Sequence, residues 1–368
     1  MTRPTRAIID TAALRNNLQQ VKASAPEQRI MAVIKANAYG HGAIEVAKVL
    51  ETGVDAFAVS CLEEALQLRE AGITLPLVLL EGFFHPDELP VIVEKDLQII
   101  VHSPTQFEHL LRVSLTKPVT VWLKVDTGMH RLGFAPNEIE PIYKLLKQCS
   151  QVASPIRLMS HLACADVRDD PTTDQQTQML MALASKLNLE ASLANSAGIL
   201  GWPDTHADWV RPGIMLYGAS PFVDNVGKAE GLQPVMQLQS ALISVRRVRQ
   251  GDAIGYGASW RCPQTMPVGV VAIGYADGYP RHAPSGTPVL VNARRVPLIG
   301  RVSMDMISVD LRSQPNARAG DPVLLWGKNL PIEEIAGLAG TIAYELLCNV
   351  SNRADTKQII NNSSKANQ

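Results

Sequence analysis

Cysteine is scarce and scattered in this chain. Its five cysteines, Cys61, Cys149, Cys164, Cys262 and Cys348, form no CxxC or other metal-ligand spacing, so no metal centre is expected. An odd, dispersed set reads as reduced intracellular thiols rather than a disulfide framework. Long apolar runs are also missing. None approaches the ~18 residues that a membrane-spanning helix needs, and the opening MTRPTRAIIDTAAL has no apolar segment of secretory type. Neither sign of charge dominates, with 34 Lys and Arg against 35 Asp and Glu, which argues against a nucleic-acid-binding surface or a charged tail. No fixed-period repeat is present. These absences leave a soluble, cytoplasmic protein as the expectation and say nothing about chemistry.

What is present is ordinary globular material: 368 residues, 46% hydrophobic and 19% charged, enough for two domains or one large domain with an appendage. Short apolar runs alternate with helix-patterned stretches over the first two thirds. The strand candidates are Ile30–Ala36, Asp55–Ser60, Pro76–Glu81, Leu97–Val101, Val119–Val125, Ile156–His161, Ala191–Asn195 and Gly213–Gly218. Most are continuously apolar, which fits strands buried on both faces of a parallel sheet. Amphipathic segments such as AIEVAKVLE and DQQTQMLMALASKL lie between them. Eight strands with intervening helices argue for an α/β fold, a (β/α)8 TIM barrel over residues 8–230, with a doubly wound sheet as its competitor. Beyond about residue 231 the texture changes to short β-like runs separated by Gly, Pro, Asn and Asp. A mainly-β domain is therefore expected over residues 231–355, followed by a polar tail, 356–368.

A barrel of this kind carries its chemistry at the C-terminal ends of its strands. Polar residues collect there: Lys35, Ser60, Glu81, His102, Lys124, His161, Asn195 and Arg211. Lys35 follows an apolar strand in IMAVIKANAYGHG, where desolvation favours the neutral amine needed for Schiff-base formation, although a lone lysine is more often a solvated surface group. Small residues in NSAG and RPGI supply free N–H groups of the sort that barrel loops seven and eight offer a phosphate, and an ordinary turn is the alternative reading. LKVDTGMHRLG sets Lys124 and Arg131 around a tight turn, and His161 ends the strand of SHLACAD. The tyrosines of GYGASW and IGYADGYPR sit among glycines, where rim packing is the ordinary role.

Taken together, VIKANAYGHG, LKVDTGMHRLG, SHLACAD, NSAG, VRPGIMLYG, GYGASW, IGYADGYPR and GRVSMDM resemble the alanine racemase family in content, order and spacing, from about Ala7 to Arg353. The resemblance implies pyridoxal 5′-phosphate as cofactor and a homodimer with shared active sites. It also implies interconversion of L- and D-alanine, supplying D-alanine for peptidoglycan or degrading it. Lys35 matches the lysine that holds the cofactor, and Tyr256 matches the opposing catalytic tyrosine that reaches a neighbouring subunit. Tyr39, Asn195, Ser196, Gly213, Ile214 and Tyr275 match cofactor-binding positions, mostly around its phosphate. Arg211 matches the arginine facing the pyridine nitrogen, with His161 beside it. Arg131 and Met304 match contacts to cofactor oxygen and substrate carboxylate, and Lys124 matches a lysine carbamylated in many members. Asp166, Arg281 and Arg301 match positions at the substrate entrance.

One stretch departs from the pattern. Many members follow the Cys348 segment with a tyrosine and RVPR, where this chain reads CNVSNRADTK with Asn352 at the tyrosine position. That difference falls at one edge of the pocket and keeps a broader-specificity amino-acid racemase in view. Basic amino-acid decarboxylases share the two-domain plan but set an acidic residue where Arg211 stands. Single-barrel cofactor carriers lack the counterpart of residues 231–353.

Overall fold

Eight apolar segments pair side by side as parallel strands: Arg29–Val33, Ala56–Val59, Leu77–Leu79, Leu97–Val101, Val119–Lys124, Val152–Met159, Ala191–Ser192 and Trp209–Val210. The computed structural model describes residues 3–360 and closes these strands into a barrel, the last pairing with the first through Arg29–Trp209 and Ile30–Val210. Continuous apolarity has its expected cause. Ala56–Val59 and Leu77–Leu79 are buried at every position, with the barrel interior on one face and helices on the other. The helices form where capping and periodicity agree. Asp10 caps Thr11–Ser24 by accepting the N–H groups of Ala12 and Ala13, and Leu14, Leu18 and Val21 line its buried face.

The eighth strand is not where the sequence placed it. Trp209–Val210 closes the barrel, and Ile214–Tyr217 within the expected Gly213–Gly218 strand is a 3-10 turn. All four residues of that turn are buried, so the apolar run records burial and not a strand.

Inward register decides which side chains meet. Strands five and eight are not neighbours, yet the Trp122 and Trp209 rings lie 5.6 Å apart at 83°, a contact that must cross the barrel interior. Arg157 lies 5.3 Å over Trp122 and Arg29 lies 4.4 Å over Trp209. Glu190 joins both arginines at 2.7 Å and accepts from the Trp209 indole at 3.3 Å. This layer is the barrel floor. Side chains alternate along a strand, so the residues two beyond the floor tryptophans, Lys124 and Arg211, share their inward direction. His161 stands four residues beyond Arg157 on the same count, and Lys35 six beyond Arg29.

The second domain is an eight-stranded sheet, ordered Met266–Val271, Ile307–Asp310, Arg294–Ile299, Pro288–Val291, Pro322–Trp326, Met236–Val248, Arg6–Asp10, Asp355–Ile360. The long strand Met236–Val248 also pairs with Met266–Val271, which bends the sheet back on itself. Arg6–Asp10 precedes the barrel in sequence but lies in this sheet, between Met236–Val248 and Asp355–Ile360. Residues 356–360 of the stretch expected as tail thus continue a backbone strand, Asp355–Ile360, and residues 361–368 of that tail lie outside the described residues. Two helices follow the last antiparallel hairpin, Ile332–Ala339 and Ala343–Cys348. The second of them packs on the turn after Lys35, where Gly40 at φ +77° leaves no room for a Cβ against the Leu347 carbonyl. Among the described residues, no helix is long and apolar enough to cross a membrane.

The floor generates a test. Burial alone would raise the Glu190 carboxyl, but hydrogen bonds from Arg157, Arg29 and Trp209 bring it from 4.5 down to about 2. A depressed carboxyl stabilises the fold above its unfolded pKa and loses that contribution as pH falls through the folded one. Glu190→Gln is therefore expected to cost about 1–2 kcal/mol at neutral pH, allowing for solvent screening of a partly exposed carboxylate. In denaturant titrations the gap to wild type should close between pH 4.5 and about 2, and a pH-independent gap would refute the assignment.

Candidate active site

A cavity of about 630 Å³ opens at the C-terminal ends of the barrel strands. Lys35, Tyr39, Lys124, Arg131, His161, Asn195, Ser196, Arg211, Gly213 and Ile214, all singled out from the sequence, line it together. Met129, Leu132, Glu81, Tyr344 and Cys348 are among the other residues of its wall.

Arg211 is the most constrained group. It is 4% exposed and donates to Ser192 Oγ at 2.7 Å, to the Ser160 carbonyl at 2.7 Å and to the Leu193 carbonyl at 3.1 Å. No carboxylate pairs with it among the described residues, and burial alone lowers the guanidinium to about 10, still a cation at neutral pH. Its Nη2 also lies 3.3 Å from His161 Nδ1. A guanidinium only donates, so Nδ1 is the acceptor there and the imidazole is neutral. Burial, then Arg211, Lys124, Arg131 and Lys35, hold His161 well below the usual histidine range.

Lys124 faces the same cations. It keeps some accessible surface because it lines the cavity, yet protein surrounds it on every side. Burial first, then Arg211 and Arg131, bring its amine from 10.5 down to about 7. Nearby Asp126, held in its own turn by the N–H groups of Gly128 and His130, both at 3.0 Å, offsets these cations at Lys124 only in part.

Lys35 is half-buried, at the start of an unusual turn. Ala36, Asn37, Ala38 and Tyr39 all adopt left-handed conformations, with φ of 51°, 53°, 54° and 50°. Each such non-glycine residue costs about 1–2 kcal/mol. Several bonds offset the strain. Gly40 N–H reaches Ala36 O at 3.0 Å, Gly42 N–H reaches Asn37 O at 2.9 Å, and Asn37 Oδ1 accepts from Ala43 at 2.9 Å. Glu64 accepts the Ala36 N–H at 2.6 Å, and Tyr39 stacks on Tyr217 with centroids 4.7 Å apart.

Opposite the lysine, the N–H groups of Gly213 and Met215 converge on Ser196 Oγ at 2.9 and 3.3 Å. Asn195 caps the short helix beginning at Ser196 by accepting from Gly198 at 3.0 Å. A Cβ at Gly213 would sit 2.7 Å from the Tyr39 hydroxyl, so glycine keeps that hydroxyl in the cradle.

The remaining sequence candidates lie elsewhere. Tyr256 is 69% exposed, Tyr275 41% and Met304 51%, and none lines this chain's cavity. They occupy a shelf on the second domain. Tyr275 and Ala276 donate to the carbonyls of Ser303 and Met304 at 3.1 and 3.0 Å, and Arg3 ties buried Asp277 at 2.7 Å to the Asp305 carbonyl at 2.9 Å. Arg301 lies against Gly257, next to Tyr256. Arg281 is exposed beside Tyr275, and Asp166 is half-buried on the loop after strand six. Asn352 is exposed, and its neighbour Arg353 pairs with Asp305 at 2.6 Å. Sequence pattern did not single out Met129 or Tyr344. Tyr344 reaches the barrel mouth only because its helix crosses from the second domain, which no local pattern announces. Glu64 is one acid in a run of two, with nothing in the sequence to separate it from a solvated face.

Both family models that match this chain describe the same enzyme: "Alanine racemase, N-terminal domain" over residues 9–221 and "Alanine racemase, C-terminal domain" over residues 235–358. The chain is 53% identical to the alanine racemase of Halorhodospira halophila over 353 residues, covering 96% of this chain and 97% of that one. It is 55% identical to that of Nitrosococcus oceani over 348 residues, covering 95% and 97%. Among solved structures it superposes on the biosynthetic alanine racemase from Pseudomonas aeruginosa with a TM-score of 0.92 at 46% identity, covering 96% and 98%.

The depressed lysine makes a measurable claim. An unfolded lysine keeps its proton up to about pH 10.5 and the folded Lys124 releases it near 7, so folding stability should rise with pH across that window. Lys124→Met should be more stable than wild type at and below pH 7 in carbon-dioxide-free buffer. Its advantage should shrink toward pH 10.5 by at most about 1.4 kcal/mol per pH unit. Parallel stability profiles for the two proteins would refute the shift.

Proposed function

The chain belongs to the alanine racemase family, and on that premise we propose that it interconverts L- and D-alanine at the barrel mouth with pyridoxal 5′-phosphate held by Lys35. The observation that supports this most directly is the wall of one cavity. It joins a half-buried amine, a buried cation that no carboxylate among the described residues pairs with, and the Ser196 and Tyr39 hydroxyls.

Each part of the cofactor finds a fitting group. Ser196, whose Oγ accepts from Gly213 and Met215 and so keeps its own hydroxyl proton to donate, suits a phosphate together with the Tyr39 hydroxyl and the backbone of Gly213 and Ile214 that lines the same wall. Arg211 suits the pyridine nitrogen as a permanent cation that keeps a proton off that atom, and neutral His161 adds none. When bound, pyridoxal phosphate supplies an electron sink conjugated to the substrate's Cα. Lys35 then stands on one face of that carbon, where its amine takes the proton of the D-enantiomer or returns it. Arg131 serves the cofactor oxygen and the substrate carboxylate, joined by Met304 of the partner subunit. Lys124 has the neutral fraction that reaction with carbon dioxide requires, a step that releases a proton and puts an anion beside Arg131.

Inversion needs a second base on the opposite face, because one base cannot serve both without the intermediate turning over. Tyr256 of the same chain projects into solvent. Tyr256 of the partner subunit supplies the phenol for the L-enantiomer in a homodimer. Tyr275 and Met304 on the same shelf then face the partner's cavity, where they serve the cofactor and the substrate carboxylate, and Arg281 and Arg301, with Asp166, line its entrance. A lone chain is inactive on this reading.

Two experiments test the pair. By NMR in D2O, Lys35→Ala should lose cofactor absorbance and all Cα proton exchange. Tyr256→Phe should keep the absorbance and lose exchange from L-alanine by about 10²-fold or more. Equal loss from both enantiomers in Tyr256→Phe would refute the sidedness. Mixing the two inactive variants under subunit exchange should restore roughly a quarter of wild-type activity, because half of randomly paired dimers are hybrids with one intact site. No recovery would refute the shared site.

A further inference from the structure

The carboxylate of Glu64 joins the ends of two barrel strands. One oxygen accepts the N–H of Ala36, directly after Lys35, at 2.6 Å, and the other accepts the N–H of Ser60, at the end of strand two, at 2.8 Å. Glu64 lies in the first turn of the helix Leu62–Glu70, whose N-cap residue Cys61 offers no side-chain bond. Reaching back to Ser60 serves that helix as a local cap. The bond to Ala36 serves nothing local, since it spans 28 positions of sequence.

That bond meets a specific need. A left-handed turn, like any helix, leaves its first N–H groups without partners inside it. Ala38 N–H closes on Ile34 O at 2.8 Å and Gly40 N–H on Ala36 O at 3.0 Å, whereas the Ala36 N–H looks outward from the turn's start. Glu64 caps it from a neighbouring element. The peptide plane between Lys35 and Ala36 is rigid, so holding its N–H also fixes the ψ of Lys35 and the direction in which Cβ leaves the backbone.

We propose that Glu64 is a positioning residue that holds the amine of Lys35 in register with the substrate's Cα by capping the strained left-handed turn that follows. The proposal rests on the reading that Lys35 holds the cofactor. Glu64 touches neither cofactor nor substrate and acts through the 35–36 peptide. An amide in place of the carboxylate offers one acceptor and one donor, so Glu64→Gln can satisfy only one of the two N–H groups. The turn then loses its cap or the helix loses its own.

The test uses the cofactor-loaded enzyme. In Glu64→Gln, kcat in both directions should fall about ten- to a hundredfold, as misplacement of a reacting group does, with KM for alanine within about twofold. The visible circular dichroism of the bound cofactor should change while the far-ultraviolet spectrum does not. Replacing Ala36 with glycine in that background removes the cost of the left-handed conformation, so Glu64→Gln/Ala36→Gly should regain at least about threefold in kcat. A kcat equal to wild type, or a lowered melting temperature with kcat and spectrum unchanged, overturns the proposal. So does a double variant no better than Glu64→Gln. If Glu64→Gln does not fold, Glu64→Asp, which keeps both acceptors on a shorter reach, faces the same criteria alone and with Ala36→Gly. Borohydride reduction of wild type followed by peptide mass mapping separates the two levels. A pyridoxyl group found elsewhere than Lys35 removes the premise and the proposal together, whereas one found on Lys35 with unchanged variant kinetics overturns only the role of Glu64.

Discussion

Burying a guanidinium without a carboxylate is expensive, and the rest of this site is organised around that expense. Arg211 is held at the barrel mouth by a hydroxyl and two backbone carbonyls, all neutral. Such partners satisfy its N–H groups but leave its charge uncancelled, so the field reaches every titratable neighbour. Burial first, and then this field, keep His161 neutral and press Lys124 toward the neutral form. A carboxylate in the same place would instead push both groups toward their charged forms, against the burial.

Strain and packing cooperate to place the lysine. Four consecutive left-handed residues follow Lys35, and no stretch of isolated chain would hold them. The helix after barrel strand two contributes Glu64, the 3-10 turn at Ile214–Tyr217 contributes the ring of Tyr217, and the second domain closes from above through Leu347 and Tyr344. The turn is therefore over-determined by three separate parts of the chain, which is the condition under which backbone strain persists at a functional site. Domain two does more than carry the shelf of Tyr256, Tyr275 and Met304. It also buttresses the cavity of its own chain.

Much of this architecture is legible in the order of residues. Buried parallel strands leave continuous apolar runs, and seven of the eight expected segments overlap barrel strands for that reason. The eighth misleads because Gly213–Gly218 is equally apolar while packed as a turn. Apolarity reports burial from all sides and does not report extension. Polar residues just after each run mark the mouth, since the two-residue alternation that sends Trp122 and Trp209 inward sends Lys124 and Arg211 inward as well. Glu64 and Tyr344 stay hidden because each acts through a contact between segments far apart in sequence.

Local pattern in the chain is enough to specify the alternation of strands and helices, the change to β-structure past residue 231 and the polar residues gathered at the strand ends. These rest on short-range periodicity and on residue chemistry, which need no coordinates. Folding in three dimensions is what sets Arg6–Asp10 in the second sheet, turns the chain left-handed after Lys35 and leaves Arg211 without a counter-ion. It also turns Tyr256 away from its own cavity. Each of these depends on what lies across a gap of tens to hundreds of residues, and only closure of the barrel and docking of the second domain bring such partners together.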